Sequence, residues 1–186
     1  MAVTVEDLYK SVKDDDRYEM KCIAGQTGMD KVVNWVHMVE SVAISEFLEG
    51  NEIAFTTGIS TEGDDDLLLE LIESIYNNKA SAAVINIGPY IKQIPQIVID
   101  FCNYNDFALF EVPWHVHMAG IMKSFSETLT MVDRADMEIT GAMENAIFFP
   151  LQQSMYMPLF EKNGIDCELP YCVALFFIEK LEEKEK

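Results

Sequence analysis

Three short apolar runs, at residues 52–56, 82–87 and 107–112, are separated by segments of helix length, and this spacing constrains the fold more than anything else in the chain. None of the runs alternates apolar with polar residues, so each reads as a strand buried on both faces. The first linker opens with Asp64-Asp65-Asp66, whose charge complements a helix N-terminus, and continues with Leu68, Ile72, Ile75 and Tyr76 at helical spacing. The second linker, residues 94–104, has Pro95 where a first helical turn tolerates it, after Gly88-Pro89 has ended the middle run. A β-α-β-α-β order with helical crossovers predicts an α/β fold: a parallel sheet, right-handed connections, and helices on its faces.

Upstream, Thr4 and Asp7 form a capping pattern before Val5 and Leu8, which predicts a small N-terminal helix. Residues 18–24 and 32–39 read as two strands separated by turn residues Gly25, Gly28 and Asp30. Residues 40–49 fit neither a short helix nor a loop well before Gly50-Asn51 breaks the chain. Downstream, residues 118–147 lack proline and carry apolar residues at steps of four and three, which predicts one long helix. A further helix is expected over 155–162, closed by Asn163-Gly164, and an apolar strand over 171–178. The expected organisation is therefore a domain over 1–117, a long helix over 118–147, and the start of an incomplete second domain over 148–186.

Charge narrows the function classes. Against 13 Lys and Arg stand 32 Asp and Glu, a formal charge of −19, and a surface of that sign repels nucleic acid and anionic lipid. The start of the chain lacks the basic and apolar regions of a secretory signal, and no apolar run approaches the roughly 20 residues of a membrane span. Cys22, Cys102, Cys167 and Cys172 are scattered, so reduced thiols in a cytoplasmic protein are expected. Phosphate-loop, nucleophile-elbow and zinc-protease motifs are all missing, His37, His115 and His117 lack partners at metal-ligand spacing, and neither a catalytic residue, a metal nor a cofactor is assigned.

The stretch Asn34-Trp35-Val36-His37, then Glu40, then residues 47–58 (FLEGNEIAFTTG) resembles the N-terminal domain of purine catabolism regulator-like bacterial transcription regulators. Residues 83–88 with Tyr90, the Ile94-Pro95 helix start, and Phe110-Glu111-Val112-Pro113-Trp114 fit the same pattern, so the resemblance covers about residues 4–125. It implies a non-enzymatic sensor of a small metabolite, such as a purine-derived one. It also implies a GGDEF-like domain next, whose first helix and strand resemble residues 145–150 and 163–178, and a separate helix-turn-helix module that touches DNA. Where the family commonly carries an arginine between the matches to Gly88 and Tyr90, this chain has Pro89, which removes a cation that would recognise an anion there.

In an open parallel sheet, ligands bind beyond the carboxyl ends of the strands. Those ends make Thr56, Thr57, Gly58, Asn86, Gly88, Tyr90 and Trp114 the candidate ligand-binding residues, with a planar ligand stacked on Trp114 and paired with Asn86. The plainer alternative is that Thr57 and Asn86 satisfy turn backbone and Trp114 packs on the long helix. On that helix, Ile121, Phe125, Thr128, Val132, Ala135 and Ile139 form a heptad-like seam, with Ile121, Phe125, Val132 and Ile139 as candidate dimerisation residues of a homodimer. Packing of the seam on its own domain fits the periodicity equally well. The competing function class is an oligomerisation or protein-interaction module without a small-molecule ligand.

Overall fold

The computed structural model describes residues 2–167 and Leu169. The expected strand over 171–178 and Cys172 lie outside the described residues. In chain order the elements are α1 (Val5–Val12), β1 (Lys21–Ala24), β2 (Trp35–Met38), α2 (Val42–Ser45), β3 (Glu52–Thr56), α3 (Asp65–Asn77), β4 (Ala82–Ile87), α4 (Gln96–Tyr104), β5 (Ala108–Pro113), α5 (Met118–Phe148) and α6 (Met157–Lys162). The chain divides into two compact units, 1–135 and 136–186.

The first unit is built on one five-stranded sheet in the order β1-β5-β4-β3-β2. β2, β3, β4 and β5 are parallel, with Val36 opposite Ile53, Ala54 opposite Ala83, and Val84 opposite Phe110. β1 adds an antiparallel edge on β5, with its register broken between Cys22 and Ala24. The three apolar runs are thus parallel strands covered on both faces, as their lack of alternation requires. Because side chains alternate across a strand, Ile53, Phe55, Val84 and Phe110 enter one core and Ala54, Ala83, Ile85 and Leu109 the other.

α1 and the start of α5 close the first core, through Val5, Leu8 and Val12 and through Ile121, Phe125 and Leu129. α3 and α4 close the second, through Leu68, Leu71, Ile72, Ile75, Val98 and Cys102. Thr4 and Asp7 form the reciprocal capping box at α1. Asp64 caps α3 by accepting from the N–H groups of Asp66 and Leu67. Residues 40–49 resolve into the four-residue α2, capped by the Ser41 hydroxyl, whose Ser45 hydroxyl meets that of Ser74 at 2.6 Å.

The expected long helix is present as a single element of 31 residues. In the second unit, Ala142 and Phe160 are buried, Lys162 pairs with Glu138 at 2.8 Å, and Tyr156 stacks at a tilt on Phe160. α6 closes at Asn163-Gly164 as its sequence predicts, with Gly164 at φ +73° and the N–H of Ile165 returning to the Phe160 carbonyl. Among the described residues no helix is long and apolar enough to cross a membrane.

Candidate functional site

The sheet's topology creates a switch point. The chain leaves β4 for α4 on one face and leaves β5 for α5 on the other, so the loops diverge between the carboxyl ends of these two strands. Asn86, at that point, is buried, and its side-chain N–H groups donate to the carbonyls of Val112 and Pro113, each at 3.0 Å. Trp114 lies against Gly88 so closely that a Cβ there would meet its ring at 2.5 Å. The Tyr90 ring stands edge-on to the indole, with centroids 5.9 Å apart. The Asn86 amide donors fasten β4 to the end of β5. Trp114 keeps 46% of its surface exposed.

Thr56 and Thr57 are fastened by Glu40, which is not among the sequence-predicted ligand residues. The hydroxyl of Thr56 donates to Glu40 Oε2 at 3.1 Å, and the N–H and hydroxyl of Thr57 donate to the same carboxylate at 3.1 and 2.9 Å. Thr56 is fully buried and its oxygen also accepts from the N–H of Gly58. Glu40 follows β2 by two residues, so parallel pairing with β3 brings its carboxylate to the end of that strand. In the sequence Glu40 stood out only as a member of the family-like stretch that begins at Asn34. Gly58 sits at φ +70°, and a Cβ would fall 2.1 Å from Cδ1 of Ile91, so glycine lets the loop after β3 touch the loop after β4.

Beside this contact an open cleft of ≈ 360 Å³ separates two walls. One is the turn after β3 and the start of α3, with Gly63, Asp64, Asp65 and Leu68; the other is the loop after β4, with Tyr90, Ile91, Lys92, Gln93 and Ile94. Leu68, Ile91 and Ile94 are buried and supply an apolar floor. The rim is polar and of both signs, from Asp64, Asp65, Lys92 and Gln93. Of the seven sequence-predicted ligand residues, Tyr90 alone lines this cleft; Trp114 touches the Tyr90 ring and Gly88 lies against Trp114, Gly58 sets the approach of the two walls, and Thr56, Thr57 and Asn86 bond away from it.

Of the two coverings that the periodicity of the α5 seam allows, its first part takes the chain's own domain. Ile121 and Phe125 are fully buried in their own domain's core, where Phe125 packs on Phe55 with ring centroids 6.2 Å apart. A helix that covers a sheet and a helix that pairs with its twin both need an apolar stripe, and here the sheet takes it. Val132 packs part-buried against the same core, and Ile139 is part-buried in the second unit. His115 bonds to Glu19 at 2.7 Å.

A purine catabolism regulatory protein-like family model matches residues 12–129, and the chain belongs to that family. The purine catabolism regulatory protein of Bacillus subtilis (strain 168) is similar, 28% identical over 102 residues, covering 55% of this chain and 19% of the relative. The chain thus spans about a fifth of that regulator's length.

Proposed function

We propose that this chain is the metabolite-sensing part of a cytoplasmic bacterial transcription regulator of purine or nitrogen metabolism. It has no catalytic role and does not contact DNA itself. The observation that carries this reading is the cleft at the carboxyl ends of β3 and β4, walled by loops that Gly58 and Ile91 hold together, in a chain of a regulator family. A small metabolite rests on Leu68, Ile91 and Ile94 and meets Lys92, Gln93 and Asp65 at the rim. Its differential affinity for two placements of Tyr90 and Trp114 biases α5, which starts four residues after Trp114. The −19 charge supports delegation of DNA contact to another module, and a GGDEF-like domain is the expected neighbour on the C-terminal side.

Isothermal titration of purine bases and their degradation products against the full chain tests the reading. Saturable binding that Gln93→Ala and Tyr90→Ala weaken at least about tenfold, roughly 1.4 kcal/mol, supports it. Binding untouched by either substitution moves the site elsewhere, and no binding by any of these compounds refutes a purine-derived effector. An oligomerisation module is the second reading, because Met131 and Met137 stand 71% and 66% exposed on α5. Light scattering that finds a dimer dissociated by Met137→Glu, together with no metabolite binding, would favour it.

A further inference from the structure

At the opposite end of the sheet, near the amino ends of β3 and β4, a second hollow of ≈ 480 Å³ lies between the end of α3 and the segment before β2. Its charged lining has one sign: Lys31 and Lys79 face it, with Asn51, Asn77 and Ser81 beside them and no carboxylate among the lining residues. In a chain with 32 carboxylates and 13 cations that is an unusual stretch of surface. The cleft at the carboxyl ends, by contrast, sets Asp64 and Asp65 beside Lys92, and the hollow beside α1 sets Glu6 and Asp30 beside Lys10 and Lys13.

Lys31 is held in place by aromatic rings. Its ammonium lies 5.5 Å from the centroid of Phe107 and 5.7 Å from that of Tyr76. Among the described residues neither Lys31 nor Lys79 forms an ion pair. Burial holds the Lys31 ammonium below the ordinary lysine range, while Asp106 and Asp30 draw it back up. Asp106 and Asp30 act on this part-desolvated ammonium from beyond ion-pair distance, so a counter-charge brought into direct contact with it adds to their pull. The two lysines also stand near the end of α3, whose last turn has no basic residue, so they complement its dipole. That static role alone would give no response to added anions.

We propose that this hollow binds the oxyanion group of a small molecule, a phosphate or a carboxylate, between Lys31 and Lys79. The site is separate from the cleft of the proposed function, and its test does not depend on that reading. Thermal unfolding of the full chain, followed by tryptophan fluorescence, is measured in inorganic phosphate, in succinate, and in sodium chloride of equal ionic strength. The chloride arm removes the general stabilisation that screening gives to a strongly acidic chain. Phosphate, succinate or both raise Tm saturably above chloride, by roughly 3–6 °C at about ten times Kd, and the arm that responds names the group. The rise is lost in Lys31→Met, which keeps the apolar stem, and in Lys79→Gln; it persists in Lys123→Gln, at an exposed position on α5 outside both sites. Circular dichroism establishes that each variant folds, and Lys79→Gln decides alone if Lys31→Met does not. No rise above chloride in either arm, or an undiminished rise in Lys79→Gln and in any folded Lys31→Met, overturns the proposal.

Discussion

Replacing Phe125 with alanine separates the two roles that its position on α5 permits. The side chain is fully buried, packed on Phe55 at 6.2 Å and flanked by Ile121 and Leu129 in the core beneath the sheet. Truncation removes the ring from an interior that cannot close around the gap, which costs about 3–5 kcal/mol. A domain's whole stability is about 5–15 kcal/mol, so the loss is large. With a urea dependence near 2 kcal/mol per molar, the midpoint falls by about 2 M. Both tryptophans, Trp35 and Trp114, lie in the first compact unit, so tryptophan fluorescence reports its unfolding without interference from the second. The shift should be the same across a roughly hundredfold range of protein concentration, because the lost contact is within one chain. Met131→Ala, at a position 71% exposed, should move the midpoint by less than about 0.3 M. A Phe125→Ala midpoint that is unchanged, or one that depends on protein concentration, would place Phe125 in an interface between chains and refute the packing described.

Glu40→Ala leaves the Thr57 N–H and two hydroxyls without their shared acceptor and should lower stability by about 2–4 kcal/mol in urea titrations, with Glu40→Gln restoring part; a loss under about 0.5 kcal/mol would contradict the fastening role. Thr4→Ala should cost about 1 kcal/mol near neutral pH. Because the hydroxyl and then the backbone N–H of Thr4 hold the Asp7 carboxyl below its ordinary 3.8, the capping contribution is complete above that value and fades as pH falls through the folded one. The gap between wild type and Thr4→Ala should therefore narrow in acid to the part carried by the Asp7 N–H bond to the Thr4 hydroxyl, and a difference that grows on acidification would contradict the capping box. Burial pushes the Cys102 thiol up to about 12, so in native protein it should resist a thiol reagent that labels Cys167 and react only at the rate of unfolding, as read by mass spectrometry of the labelled peptides. Prompt labelling of native Cys102 would mean that the second core is open to solvent.

The parallel strands were legible because burial on both faces removes alternation from the runs at 52–56, 82–87 and 107–112, and few other structures need that pattern. α1 and α3 were legible at their starts, where Thr4, Asp7 and Asp64 do what their side chains allow. The destination of Ile121 and Phe125 was not, because periodicity records that a face is apolar and says nothing about what covers it. The site was harder. Thr57, Asn86 and Trp114 lie at strand ends as the fold rule requires, but what they bond to depends on long-range register: Glu40 meets Thr57 only because β2 pairs with β3, and Asn86 reaches Pro113 only because β4 pairs with β5. The cleft walls were missed for the same reason. Lys92 and Gln93 carry no motif, and they face Asp65 because Gly58 lets Ile91 approach.

Recognition of a diffusible metabolite between the two loops is tested most directly by amide NMR of the full chain, titrated with purine bases and their ring-opened products. The account predicts saturable shifts centred on residues 63–68 and 90–94, with a smaller response at Trp114. Shifts centred on residues far from both loops, with those two segments silent, would contradict it.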